Sequence, residues 1–146
     1  MEQKVYEMYQ KWVSEPSLDT LTRKQLADIE NNEDIIFDSF YKELEFGTAG
    51  LRGIIGVGSN RMNVYTVRRA TQGLANYLKK HYENSKVAIA YDSRNFSKVF
   101  AYEAANVLSS NNIEAYVFDS LQATPVLSYA VRYLSCQAGI NITASH

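Results

Sequence analysis

Three short apolar runs separated by helical patterns limit the folds open to this chain. Val87–Tyr91, Ile113–Phe118 and Ala138–Ile142 have the apolar character of strands buried on both faces. Between the first two, Phe96, Val99, Phe100, Val107 and Leu108 mark one face of a helix. Between the second and third, Thr124 and Pro125 read as N-cap and first residue of another helix, with a stripe of Val126, Ala130, Tyr133 and Leu134. Upstream, Asn63 is placed to cap a helix whose stripe is Val64, Val67, Ala70, Leu74 and Leu78, running to about Tyr82. Strand and helix alternating at this spacing predict βαβ units. The fold class is therefore α/β: a three-layer αβα domain around a mainly parallel (mixed) sheet.

The first 45 residues differ in character. Tyr6, Tyr9, Trp12 and Val13 suggest one helix face, and Leu21, Leu26 and Ile29 a second helix capped by Asp19 or Thr20. Asn31–Asp34 reads as a polar break. The division expected is a helical segment, 1–45, packed on an α/β domain, 46–146. At 146 residues the chain suits one domain with a core of its own.

Composition removes several function classes. A formal net charge of −1 provides no general basic field for nucleic acid. No apolar run is long enough to cross a bilayer, and Met1–Tyr6 has neither the basic nor the apolar region of a signal peptide. Cys136 is the single cysteine, which excludes an internal disulfide framework and a thiolate metal site. The expected location is the cytoplasm, with no nucleic-acid or membrane partner.

In a parallel sheet, ligands bind beyond the carboxyl ends of the strands. Asp92-Ser93-Arg94, the segment from Asp119 to Thr124, and Thr143-Ala144-Ser145-His146 follow the three strands and would share one rim. Asp119, Ser120 and Thr124 are good turn and cap residues and are read as such. Asp92 and Arg94 either pair with each other or serve a ligand. Ser145-His146 lacks the flanking glycines of a hydrolase nucleophile elbow. His81 sits at a helix end, where a cation suits the dipole, and is read as structural.

Five of the seven glycines crowd into Phe46–Arg61. The segment is no P-loop, since no Gly-Lys-Ser/Thr follows, and it lacks the third glycine of a dinucleotide fingerprint. Two readings stay open. One is a tight hairpin with bulges. The other is a loop whose backbone approaches an anion, with Arg52 and Arg61 as planar forks suited to phosphate.

Taken in order, Phe46-Gly47-Thr48-Ala49-Gly50-Leu51-Arg52-Gly53, Asn60-Arg61-Met62-Asn63, Tyr91-Asp92-Ser93-Arg94, Thr124-Pro125 and Thr143-Ala144-Ser145-His146 resemble the first domain of the α-D-phosphohexomutases. The run from Val64 to Gly73 is most similar to the phosphoglucomutase and phosphopentomutase branch. The resemblance implies that Ser145 is the phosphorylated residue and that the chain stops inside the catalytic loop. Three further domains would then be missing, with their magnesium, sugar and phosphate loops.

The same resemblance implies a mechanism. Phosphorylated Ser145 would give its phosphoryl group to a hexose monophosphate, pass through a sugar bisphosphate, and take back the other phosphate. Arg52 would stabilise charge on the moving group, and His146 would hydrogen-bond or position substrate beside the serine. Thr48, Gly50, Arg52, Arg61 and Arg94 would bind substrate or phosphate. Mg2+ would meet the chain only through the phosphate on Ser145, its other ligands lying beyond His146. A sugar bisphosphate would act as activator, and the implied partners are a hexose phosphate and the remaining domains. Glucose is the first choice of sugar, with pentose and mannose phosphates as alternatives. The isolated chain is expected to be inactive. The rivals are a non-catalytic phosphate-binding α/β domain and a serine hydrolase.

Overall fold

The computed structural model describes residues 2–46, 50–92, 96–118 and 136–145, and of Ser145 the backbone alone. The helix read from Thr124-Pro125, the turn residues Asp119 and Ser120, and Ser93 lie outside the described residues. In chain order the elements are α1 (Gln3–Val13), α2 (Thr20–Asp28), α3 (Glu33–Phe40), β1 (Leu51–Ile54), α4 (Val64–His81), β2 (Lys86–Tyr91), α5 (Ser97–Ser110), β3 (Glu114–Val117) and β4 (Ala138–Ser145). The sheet order is β1-β4-β2-β3. Every strand pairing is parallel; the sheet needs no antiparallel member among the described residues.

One face of the sheet carries Val87, Ile89 and Tyr91 of β2, Ile140, Ile142 and Ala144 of β4, and Leu51 of β1. Helices α4 and α5 cover that face and pack on each other. Burying each large aliphatic side chain there contributes about 1.5–3 kcal/mol. The opposite face presents Ala88 and Ala90, with Phe118 and Cys136 against them.

The helix faces differ from their stripes. In α4 the buried line is Val67, Thr71, Ala75 and Leu78, with Val64, Ala70 and Leu74 at its edges. In α5 the buried line is Ser97, Phe100, Ala101, Ala104 and Leu108, while Phe96 and Val99 are exposed. Small residues let α5 lie close to the strands, so volume rather than hydrophobicity picked its inner face. Asn63 does cap α4, through a reciprocal box with Thr66.

The leader holds three helices, not two. The polar break at Asn31–Asp34 is a helix start: Asn32 accepts from the Ile35 N–H and caps α3, with Glu33 and Asp34 in its first turn. Val5, Tyr9, Leu18, Leu26, Ile36 and Phe40 form a second core inside this unit. Of the residues assigned to its inner face by spacing, Tyr9 is buried and Trp12 packs against this core, whereas Tyr6 and Val13 are exposed and Val5 is buried in their place. Trp12 sits edge-on to Phe40 and to Tyr65 of α4.

Asp19 joins α2 to α4. It caps α2 through Thr22 and accepts from the Tyr65 hydroxyl at 2.5 Å. The Thr22 hydroxyl, then Tyr65, then the Thr22 N–H hold its pKa down to about 2 from an ordinary 3.8. A carboxylate lowered on folding gives stability that is complete above its ordinary value and lost as pH falls through the lowered one. Asp19→Asn keeps an acceptor but no charge. The stability gap between wild type and Asp19→Asn is expected to be constant above pH 3.8 and to close toward pH 2. Trp12 fluorescence in urea at stepped pH measures it, and a gap indifferent to pH contradicts the assignment.

Candidate active site

Because the strands are parallel, their carboxyl ends share one rim, where open α/β sheets bind ligands. Register decides what meets there. Arg52, Gly53 and Ile54 of β1 lie opposite Thr143, Ala144 and Ser145 of β4. Tyr91 of β2 lies opposite Ile142, so Asp92 follows at the same level as Thr143. Neighbouring strands are about 4.8 Å apart, which puts the backbone of Arg52 beside that of Thr143, two residues before Ser145.

Two expectations change. The glycine-rich segment is not a hairpin: its middle, Leu51–Ile54, is a parallel strand at the edge of the sheet. The segment after Ile142 is not yet a loop, since β4 continues through Ser145. The two corrections are one, because β1 is the partner that keeps 143–145 extended.

Arg52 is exposed, and no ion pair among the described residues uses it. It lines a pocket of about 550 Å3 together with Tyr41, Lys42, Asn60 and Arg61. Arg61 is placed differently. Its Nη2 meets Asp38 Oδ2 at 2.5 Å, and its Nη1 donates to the carbonyls of Asp38 and Asn60 at 3.0 and 3.3 Å. The side chain is 13% exposed. Its fork ties the glycine-rich loop to α3, and Arg52 is the arginine left facing solvent.

Gly50 has a backbone reason for being glycine. Its φ is +113°, and a Cβ there would sit 2.2 Å from the Asn141 carbonyl oxygen. Such a close approach admits no side chain. Thr48, Arg94 and His146 lie outside the described residues.

Sequence reasoning passed over Ser97, the first residue of α5. It is fully buried. Its hydroxyl donates to Asp92 Oδ1 at 2.5 Å and accepts from the Ala144 N–H at 3.3 Å. The rim residue Asp92 also donates its N–H to the Ile142 carbonyl at 3.3 Å. A serine directly after a strand-end loop was the one available signal, and it reads like any helix start.

Among the described residues no group of three or more His, Cys, Asp or Glu side chains could hold a metal ion. No helix among them is long and apolar enough to cross a membrane.

The model of the phosphoglucomutase/phosphomannomutase alpha/beta/alpha domain I matches residues 43–146. The chain belongs to this family. Its parallel sheet and helices are those of the family's first domain, a three-layer αβα unit. The chain is 50% identical over 107 residues to a phosphoglucomutase of Staphylococcus haemolyticus, covering 73% of this chain and 20% of that protein. It is 41% identical over 131 residues to one of Staphylococcus epidermidis, covering 88% and 24%. It is 45% identical over 123 residues to one of Staphylococcus aureus, covering 84% and 21%. The chain thus spans between a fifth and a quarter of the length of these relatives. No solved structure matches it.

Proposed function

We propose that this chain is the first domain of a phosphosugar mutase that interconverts hexose 1-phosphate and hexose 6-phosphate, with Ser145 as phosphoryl carrier. The observation that carries the reading is the domain I match through residue 146, together with the parallel pairing that brings Arg52 beside the strand end bearing Ser145. The relatives' name, phosphoglucomutase, makes glucose the first sugar to test.

In the transfer, the Ser145 Oγ–phosphorus bond breaks and a phosphorus–oxygen bond to the sugar forms. The proton leaves the sugar hydroxyl, and the serine oxygen is protonated. The second half reverses this at the other phosphate of the sugar bisphosphate. Such chemistry depends on in-line placement and on charge stabilisation more than on acid–base strength. Within this chain, the exposed guanidinium of Arg52 is the group suited to charge stabilisation, since a planar fork binds two phosphoryl oxygens at once. Arg61, engaged by Asp38, holds the glycine-rich loop under it. Thr48, Gly50 and Arg94 keep their places in the reading as phosphate-side residues, and His146 as the neighbour that positions substrate.

The reading includes Mg2+ as a requirement of the whole enzyme and a sugar bisphosphate as the species that primes it. A divalent cation neutralises phosphoryl oxygens when bound. The described residues do not make a magnesium site. The sugar-recognising and metal-holding parts belong, on this reading, to other domains, and the chain alone turns over no sugar phosphate. A cytoplasmic site of action goes with the sugar-phosphate substrate.

The test is intact mass and phosphopeptide mapping of the full-length protein before and after glucose 1-phosphate with Mg2+. The expected result is a phosphate on Ser145 that leaves when the sugar phosphate is added. A Ser145 that stays unphosphorylated even with glucose 1,6-bisphosphate would leave a phosphate-binding α/β domain as the better description.

A further inference from the structure

We propose that Ser97, held by Asp92, is a positioning residue that completes the hydrogen-bond ladder of β4 and so fixes the strand end that presents Ser145. The proposal rests on Ser145 being the phosphoryl carrier.

The geometry begins with β2. Ile142 accepts the Asp92 N–H, so residue 142 of β4 turns its backbone polar groups toward β2. Ala144, two residues on, turns its N–H the same way, because strand residues alternate. However, β2 ends at Tyr91. The amide of Ala144 is buried in a residue with no exposed surface, and the Ser97 hydroxyl is the acceptor it meets. A buried N–H needs such an acceptor. One side chain from α5 therefore supplies the rung that the strand no longer can.

Asp92 sets the direction of that hydroxyl. With the Ser97 O–H donated to Asp92 Oδ1, a lone pair of the same oxygen is free for the Ala144 N–H. The short contact to the carboxylate is the stronger of the two, and the longer one to the amide follows from it. The strand end is then held on one side by backbone pairing with Gly53 and Ile54, and on the other by this serine. Ser97 has no route to substrate, being fully buried behind the rim. Its influence runs through the backbone of residue 144 to the next residue, the carrier. Phosphoryl transfer is sensitive to small displacements of the reacting oxygen.

The experiment compares wild type, Ser97→Ala and Ser97→Thr in the full-length protein, with glucose 1-phosphate as substrate. Three quantities are read: kcat, KM, and hydrogen exchange of the peptide ending at Ser145. Ser97→Ala is expected to lower kcat about 10- to 100-fold, with KM within about threefold, because placement and not binding is lost. Exchange in that peptide rises by about tenfold as its acceptor goes. Ser97→Thr keeps the hydroxyl and recovers both. If Ser97→Ala does not fold, Ser97→Cys keeps the shape with a weaker acceptor and carries the comparison, with a smaller fall in kcat.

An unchanged kcat in the alanine or cysteine variant overturns the proposal. So does a folded Ser97→Thr as slow as Ser97→Ala, or an effect confined to KM. A wild type that turns over while Ser97→Ala keeps pace sinks this role alone. A wild type without turnover and without phosphate on Ser145 sinks the mutase reading, and this role with it.

Discussion

With Ser145 proposed as the phosphoryl carrier, Ser145→Ala is expected to abolish sugar-phosphate interconversion by the full-length protein while leaving its fold in place. The expected fall in turnover is about 10^4-fold or more, the scale seen when a covalent carrier is removed and binding groups remain. The reason is chemical: alanine offers no oxygen to carry phosphorus, and a neighbouring hydroxyl cannot take over without moving. The other hydroxyl of β4 is that of Thr143, which lies opposite Arg52. It is two residues back along an extended strand, so the displacement is close to 7 Å, or about two strand residues. The structural cost of Ser145→Ala is small. The strand end is held by main-chain pairing with Ile54, which the substitution leaves intact. A coupled assay for glucose 6-phosphate, with thermal unfolding of the same samples, measures both. Retained turnover in Ser145→Ala with loss in Thr143→Ala would move the carrier to Thr143.

What the sequence revealed of this fold divides along the range of the forces involved. Val87–Tyr91 is legible because a strand buried on both faces is apolar at nearly every position, and Ile113–Phe118, whose strand stands at the end of the sheet and is only half-buried, is legible from its β-branched and aromatic residues. The cap at Asn63 is legible because its partner, Thr66, is three residues away. Leu51–Ile54 is not legible. It contains an arginine and a glycine in four residues, and it is a strand because β4, almost ninety residues on, pairs with it. The same pairing explains why 143–145 stay extended where a loop was expected. The start of α3 was lost for a different reason. Asn32 with two acidic residues after it serves equally well to end one structure and to begin another.

The site divides in the same way. Arginine at 52 and 61 suggests phosphate chemistry by residue type, but type does not tell which guanidinium is spent. Asp38 takes that of Arg61 from twenty-three residues away, and Arg52 stays exposed. Ser97 carries only the signal of an ordinary helix start. Its hydroxyl matters only because β2 ends one residue too early to serve Ala144. Residue types marked the rim, and long-range pairing decided what each residue there does.

Gly50→Ala is expected to cost more stability than a methyl added at Gly53, Gly56 or Gly58, and Gly73→Ala is expected to act with the opposite sign. At Gly50 two penalties combine. The φ of +113° is a region that a side chain occupies at a cost of about 1–3 kcal/mol. The new Cβ would also stand 2.2 Å from the oxygen and 2.6 Å from the nitrogen of Asn141, both backbone atoms of a central strand. Backbone cannot swing aside like the end of a side chain, so β1 must separate from β4, and forced separation of packed elements adds about 1–3 kcal/mol more. Together these come to about 2–6 kcal/mol, a large share of the margin of a small domain, about 5–15 kcal/mol. Gly58 has the same kind of restraint, with φ +122° and the Ser39 carbonyl oxygen 2.4 Å from a built Cβ, but it acts on the loop and not on the sheet. Gly73 lies inside α4 with nothing within 4 Å of its Cβ position. Alanine there gains about 0.5–1 kcal/mol by restricting the unfolded chain. Urea denaturation of the three variants beside wild type decides the matter. A Gly50→Ala chain within about 1 kcal/mol of wild type would mean that β1 can leave the sheet at little cost. The placement of Arg52 beside the strand end of Ser145 would then lose its structural basis, because that strand is what puts it there.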